Sequence, residues 1–141
     1  MVRRKVWKAI PKDKIPSKAK VLSSTWACKK KSNGTFRARL NARGFEQKDG
    51  EHFDSSSISA PVTNDATIRI CLVLMLMAGW VRELLDVKGA FLHGAFDDGE
   101  QIYMSVPEGF EEYYPAGVVL LLLRTIYELR QAAMAFWRMI L

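Results

Sequence analysis

Two β-compatible runs, residues 21–31 and 36–42, flank the polar tetrad Ser32-Asn33-Gly34-Thr35, so the pattern predicts a hairpin. Asn-Gly at its tip suits a type I′ turn, whose two central positions both take positive φ. Residues 44–61 hold Gly44, Gly50, a serine cluster and Ala60-Pro61, and read as loop. Thr63, Asn64 and Asp65 are then N-cap candidates for a helix over residues 66–78. Ile68, Cys71, Leu72, Met75 and Leu76 would share one face of it, and Gly79 is a natural stop. Residues 80–87 read as a strand, 94–101 as a turn and 102–106 as a short strand closed by Pro107-Glu108-Gly109. Residues 118–123 are a buried strand or the start of a helix, and a helix is predicted over 126–139. Residues 1–20 are basic, carry Pro11 and Pro16, and show little periodicity. They are expected to form a loose arm with Trp7 as an anchor. The resulting β-β-α-β-β-α order is that of an α+β domain, with β hairpins and packed helices over residues 21–141.

Composition permits a core, since 49% of the 141 residues are hydrophobic. Charge changes the picture more. Residues 1–48 carry 15 Lys and Arg against 2 acids, a net of +13, and residues 49–141 carry 6 against 13, a net of −7. A basic front joined to an acidic back suits phosphate contact by the front, with a solvated lysine face as the competing reading. The longest apolar run, residues 70–81, falls short of the roughly 20 residues that cross a bilayer. It reads as a buried helix, and no membrane association is expected. No secretory leader is expected either, because the chain opens on Met1-Val2-Arg3-Arg4-Lys5. Cys28 and Cys71 stand apart, which fits a reduced, intracellular protein of cytoplasm or nucleus.

Few residues offer chemistry. His52 and His93 have no third ligand at zinc spacing, and no serine or cysteine carries a nucleophile motif. Asp86 differs, because it ends the apolar run of residues 80–87 and Phe91 follows five positions later. Phosphoryl transfer to a nucleotide needs carboxylates that hold divalent metal, and a strand end positions one well. The Val87 backbone carbonyl would lie beside it as a further oxygen ligand for hard magnesium. A strand-end or cap role is the competing reading for Asp86. Asp97-Asp98 is the only Asp-Asp pair, and it lies in a Gly-flanked stretch without apolar strands on both sides. It reads as an acidic surface turn, and Tyr113-Tyr114 as loop aromatics.

Taken in order, these pieces resemble a known enzyme family. Trp26 with Lys29, Asn33-Gly34-Thr35, Ala38-Arg39-Leu40 and Ala42-Arg43-Gly44-Phe45 with Gln47 are similar to one hairpin. It is the fingers hairpin of copia-type LTR retrotransposon reverse transcriptases. Leu85-Asp86-Val87-Lys88, Ala90-Phe91-Leu92, Gly94, Ile102-Tyr103-Met104, Pro107-Glu108-Gly109-Phe110 and Tyr127, Leu129 and Gln131-Ala132 with Trp137 continue the resemblance across nearly the whole chain. The resemblance implies incomplete fingers and palm of an RNA-directed DNA polymerase. The implied partners are an RNA or DNA template–primer and deoxynucleotides, and the implied cofactor is magnesium. Asp86 would be the first catalytic carboxylate and Phe91 the wall against the sugar 2′ position, or else a core aromatic. Arg39 and Arg43 would approach triphosphate or template, or serve as plain surface cations. Gln131 would flank the nucleotide pocket, or lie on a helix surface. Lys29, Lys30, Lys31 and Arg37 would contact nucleic acid.

Departures accompany the match. Glu128 stands where the family has glycine, Met134 where it has proline, and Gly89 where threonine is common. Leu121 and Leu123 replace polar or basic positions. No Tyr-x-Asp-Asp box occurs in the 141 residues, nor a thumb, so the isolated chain is expected to lack polymerase activity. The alternatives are a non-catalytic nucleic-acid-binding remnant of a retroelement, or a relic without cellular function.

Overall fold

Val119, Leu120 and Leu121 have a strand on each side, and this central position decides the helix-or-strand question. In the computed structural model, which describes residues 5–141, Val118–Leu122 is β6, flanked by β1 (Trp7–Pro11) and β5 (Tyr103–Ser105). β6 runs antiparallel to both, and β2 (Val21–Leu22) adds in parallel to β5, giving the order β1-β6-β5-β2. A second sheet is the hairpin of β3 (Ser24–Lys30) and β4 (Phe36–Ala42). Two α-helices among the described residues complete a small mixed α/β structure: α1 (Asp65–Ala78) and α2 (Ala132–Ile140). The core joins the sheets and the C-terminal segment through Val6, Leu22, Leu40, Ile102, Met104, Leu120, Ile126 and Leu129.

Several sequence expectations hold. Asn64 caps α1 by accepting the Thr67 N–H at 2.8 Å, and Gly79 ends it at φ 65°. The Trp80 N–H returns to the Met75 carbonyl, a six-to-one bond that closes the helix. The hairpin is where the pattern puts it, with a different turn. Only Gly34 takes positive φ, and Gly34 N–H and Thr35 C=O both bond Lys31, the arrangement of a type I turn followed by a left-handed glycine.

Four expectations need correction. Residues 7–11 are a strand on the sheet edge, not a loose arm. Val6 is fully buried, its carbonyl accepts from Leu123 and Arg124, and Pro11 sits at the strand's end, where an edge tolerates a missing donor. Residues 1–4 of the expected arm lie outside the described residues. Residues 80–87 form no strand, because an apolar run becomes one only beside a partner ladder. No described strand pairs with them, and Leu84 and Leu85 are 99% and 87% exposed. The apolar α1 is not buried either. Its caps and composition make it helical locally, while no residue in it is buried. The last helix begins at Ala132 rather than 126, because Glu128 takes φ 70° and interrupts a right-handed helix there.

The second sheet is tied to the first near Glu46. Its carboxylate accepts the Ser23 N–H at 2.8 Å and the Ser23 hydroxyl at 2.5 Å, with Arg43 3.9 Å away. Burial pushes the carboxyl up, but the Ser23 hydrogen bonds, with Arg43 and Lys20, outweigh it and hold it below the ordinary 4.5. A carboxyl depressed in the folded state stabilises above its unfolded pKa, and that stabilisation disappears as pH falls through the folded value. Glu46→Gln is therefore expected to melt below the parent at about pH 7, with the gap closing in acid as both forms become neutral there. Thermal unfolding across that range checks it, and a constant gap would contradict the linkage.

Candidate nucleic-acid interface

Antiparallel pairing sorts the hairpin's side chains onto two faces, since directly opposed residues share a side. Lys29 opposes Arg37, Ala27 opposes Arg39 and Thr25 opposes Asn41, which gathers three cations on one face. Trp26 opposes Leu40, Cys28 opposes Ala38 and Lys30 opposes Phe36 on the other. The expected basic cluster is therefore divided. Lys29, Arg37 and Arg39 come together, Lys30 lies across the sheet with its ammonium 5.6 Å over the Phe36 ring, and Lys31 sits at the turn.

Opposing Lys29 and Arg37 costs stability, because like charges face each other across the ladder. Among the described residues no carboxylate pairs with Lys29, Arg37 or Arg39. Ion pairs elsewhere include Arg43–Glu46, Lys48–Glu51 and Arg138–Asp97. An exposed positive face without its own counter-ions is what a polyanion fills. Arg39 is held in place, with its guanidinium carbon 5.3 Å above the Tyr127 ring. The Tyr127 ring in turn meets Phe91 edge-on at 5.5 Å, and Phe91 meets Phe136 at 6.4 Å. Arg39 and Phe91 thus flank one tyrosine. Phe91 is half-buried against the core, and its carbonyl accepts the Thr125 hydroxyl. Asn41 continues the basic face toward the core. Its Nδ2 donates to Glu128 at 2.8 Å, while its buried Oδ1 has no partner.

The other candidates sit elsewhere. Arg43 is exposed beside Glu46. Gln131 is not on a helix surface. It is buried at the start of α2, where Oε1 accepts from Gln47 Nε2 at 3.0 Å and Nε2 donates to the His52 carbonyl at 3.1 Å. Asp86 lies on open backbone, exposed, between Leu85 and a half-exposed Val87. No group of three or more His, Cys, Asp or Glu among the described residues is arranged to hold a metal ion. One carboxylate and one backbone carbonyl fall short of magnesium's octahedral requirement, so these residues do not by themselves fit the ion. Asp97 is engaged structurally, with Arg138 Nη1 reaching its Oδ1 and Oδ2 at 2.5 and 2.6 Å. No helix among the described residues is long and apolar enough to cross a membrane.

Sequence reasoning missed Tyr127 as the platform for Arg39 and Gln47 as the partner of Gln131. Both pairs join residues more than eighty positions apart, beyond the reach of any local pattern. One signal was visible. Glu128 in a glycine position marks backbone at positive φ, and an added Cβ on Gly44 would overlap the Glu128 carbonyl oxygen.

Residues 4–141 match the family model described as reverse transcriptase (RNA-dependent DNA polymerase). The chain is 41% identical over 128 residues to the retrovirus-related Pol polyprotein from transposon TNT 1-94 of Nicotiana tabacum. That alignment covers 87% of this chain and 9% of the relative. It is 32% identical over 136 residues to the corresponding polyproteins from transposons RE1 and RE2 of Arabidopsis thaliana, covering 93% of this chain and 9% of each. No solved structure matches.

The buried position of Gln131 makes a stability prediction. Gln131→Ala strands Gln47 Nε2 and the His52 carbonyl, and should cost about 1–3 kcal/mol in urea unfolding. A change within roughly 0.5 kcal/mol would mark Gln131 as a surface residue instead.

Proposed function

Because the chain belongs to the reverse transcriptase (RNA-dependent DNA polymerase) family, we propose that it forms the template-gripping fingers and first palm segment of a retrotransposon polymerase. The observation that carries the reading is the hairpin face of Lys29, Arg37 and Arg39, three cations with no carboxylate partner among the described residues. Guanidinium forks match phosphate oxygens two at a time, and the sugar–phosphate backbone presents a regular row of them. The like-charge cost of opposing Lys29 and Arg37 is relieved when a phosphate lies between them. Arg39, steadied by Tyr127, would orient the nucleic acid relative to Phe91, whose ring is the candidate wall beside the incoming sugar.

In the intact polymerase, magnesium held by carboxylates would neutralise charge at the transferring phosphoryl group. Asp86 is the residue of this chain that would contribute to that ligand set, with the Val87 carbonyl beside it. These residues alone do not complete the set, which supports binding without nucleotidyl transfer for the 141 residues on their own. The chain spans 9% of the length of the curated relatives it matches, and polymerisation is a property proposed for the longer protein.

Binding of an RNA–DNA template–primer as a function of salt tests the reading. Removing one phosphate-binding cation should flatten log K against log salt by roughly 0.7–0.9. Combining Lys29→Ala, Arg37→Ala and Arg39→Ala is therefore expected to lower the slope by about 2–3 and weaken binding alike for different sequences. Asp86→Asn should bind like the parent, and neither should extend a primer with magnesium present. An unchanged slope in the triple variant would remove the hairpin from the interface.

A further inference from the structure

We propose that the aromatic cleft on the opposite side of the hairpin binds an extended cationic peptide segment of a partner protein. The cleft encloses about 600 Å³ between Trp7 of β1, the apolar hairpin face of Trp26 and Leu40, and the loop carrying Pro107, Phe110 and Tyr113. Trp26 stacks on Phe110 with centroids 5.5 Å apart, and Phe110 leans on Tyr113 at 5.7 Å. The mouth stays open, with Tyr113 69% exposed and Trp26 and Phe110 each more than a third exposed.

The ring nitrogens of both tryptophans are already engaged. Trp7 Nε1 donates to the Tyr114 hydroxyl at 2.9 Å, and Trp26 Nε1 donates to the Glu108 carbonyl at 3.0 Å. What the two indoles offer is therefore fixed π faces, and the hydroxyls of Tyr113 and Tyr114 remain as hydrogen-bonding groups in the lining. Such faces suit proline rings and the flat or charged ends of Arg and Lys, and their rigidity limits the ordering cost of binding.

Charge selects the occupant. Glu108, Glu111 and Glu112 lie beside the aromatic residues in the loop sequence, all three are exposed, and no Lys or Arg occurs from Ser105 to Leu123. Lys30, on the same hairpin face, lies four residues along β3 from Trp26, about 13 Å away at strand rise. Exposed acids on the loop that walls the groove repel phosphate and attract cations. Aromatic walls with an acidic edge are how proline-containing basic segments are held, because a polyproline II backbone arrives with little entropy left to lose. The phosphate-binding face proposed above is on the other side of the same two strands, so both can be occupied together.

The test is fluorescence anisotropy on the full 141-residue chain. The probe is a labelled peptide of about ten residues alternating proline with arginine, long enough for several polyproline turns. Tyr113→Ala, and separately Glu111→Lys with Glu112→Lys, alter exposed side chains and should leave the melting temperature unchanged. Each should weaken the peptide by roughly tenfold or more, as expected when an anchor is truncated or a complementary charge reversed. A matching proline–glutamate peptide should not bind. Binding that is unchanged in both variants, or absent at about 1 mM peptide, overturns the proposal. Loss of oligodeoxythymidine affinity in Tyr113→Ala would instead assign the cleft to nucleobases.

Discussion

The structure depends on a knot of hydrogen bonds between the end of the hairpin and the start of the last helix. Asn41, Gly44, Gln47 and His52 bond Glu128, Arg130 and Gln131 across 79 to 87 residues of chain. Ala42 N–H and the Tyr127 carbonyl add a backbone link. A two-stranded hairpin is marginal alone in water, so something must hold it against the larger sheet. Here that role falls to side-chain and backbone groups bonded to one another inside the fold, with Asn41 Oδ1 alone among the knot's buried side-chain atoms left without a partner. The knot demands unusual backbone. Glu128 accepts a left-handed conformation, and Gly44 is required where the Glu128 carbonyl leaves no room for a Cβ. With the hairpin fixed this way, Tyr127 comes to lie under Arg39, and Trp26 comes to lie against Phe110.

What the chain states locally was legible, and what it states through distant partners was not. The Asn64 cap, the Gly79 stop and the Asn-Gly turn are short-range devices, and each occurs where the pattern puts it. β1 was hidden because its apolar partner is β6 near the other end of the chain, and Lys8, Pro11 and Pro16 mask its alternation. Residues 80–87 have strand composition but no described ladder, so their pattern overstated their order. Asp86 is therefore an exposed acid in open backbone here, whereas strand reasoning put it at the end of an apolar strand. Gln131 and Phe91 each had two readings open. Gln131 is a buried hydrogen-bonding residue, and Phe91 packs half-buried between two aromatic rings.

Within the basic front, one thin sheet gathers Lys29, Arg37 and Arg39 on one side and Trp26 and Leu40 on the other. Strand alternation turns neighbouring residues to opposite faces, so Lys29, Arg37 and Arg39 are segregated from Trp26 and Leu40 although they interleave in sequence. The positive face lacks internal counter-ions among the described residues, while the loop that walls the aromatic face carries three exposed glutamates. Two surfaces of opposite character, separated by one layer of backbone, are why the hairpin is proposed as the functional centre of the described residues.

Side-chain NMR during titration with an RNA–DNA template–primer tests that division most directly. The Arg37 and Arg39 Nε–H signals report one face, and the Trp26 indole N–H reports the other. The arginine signals are predicted to shift saturably while the Trp26 signal stays in place. Movement of the Trp26 indole with the arginines unmoved would put nucleic acid on the aromatic face and contradict the division.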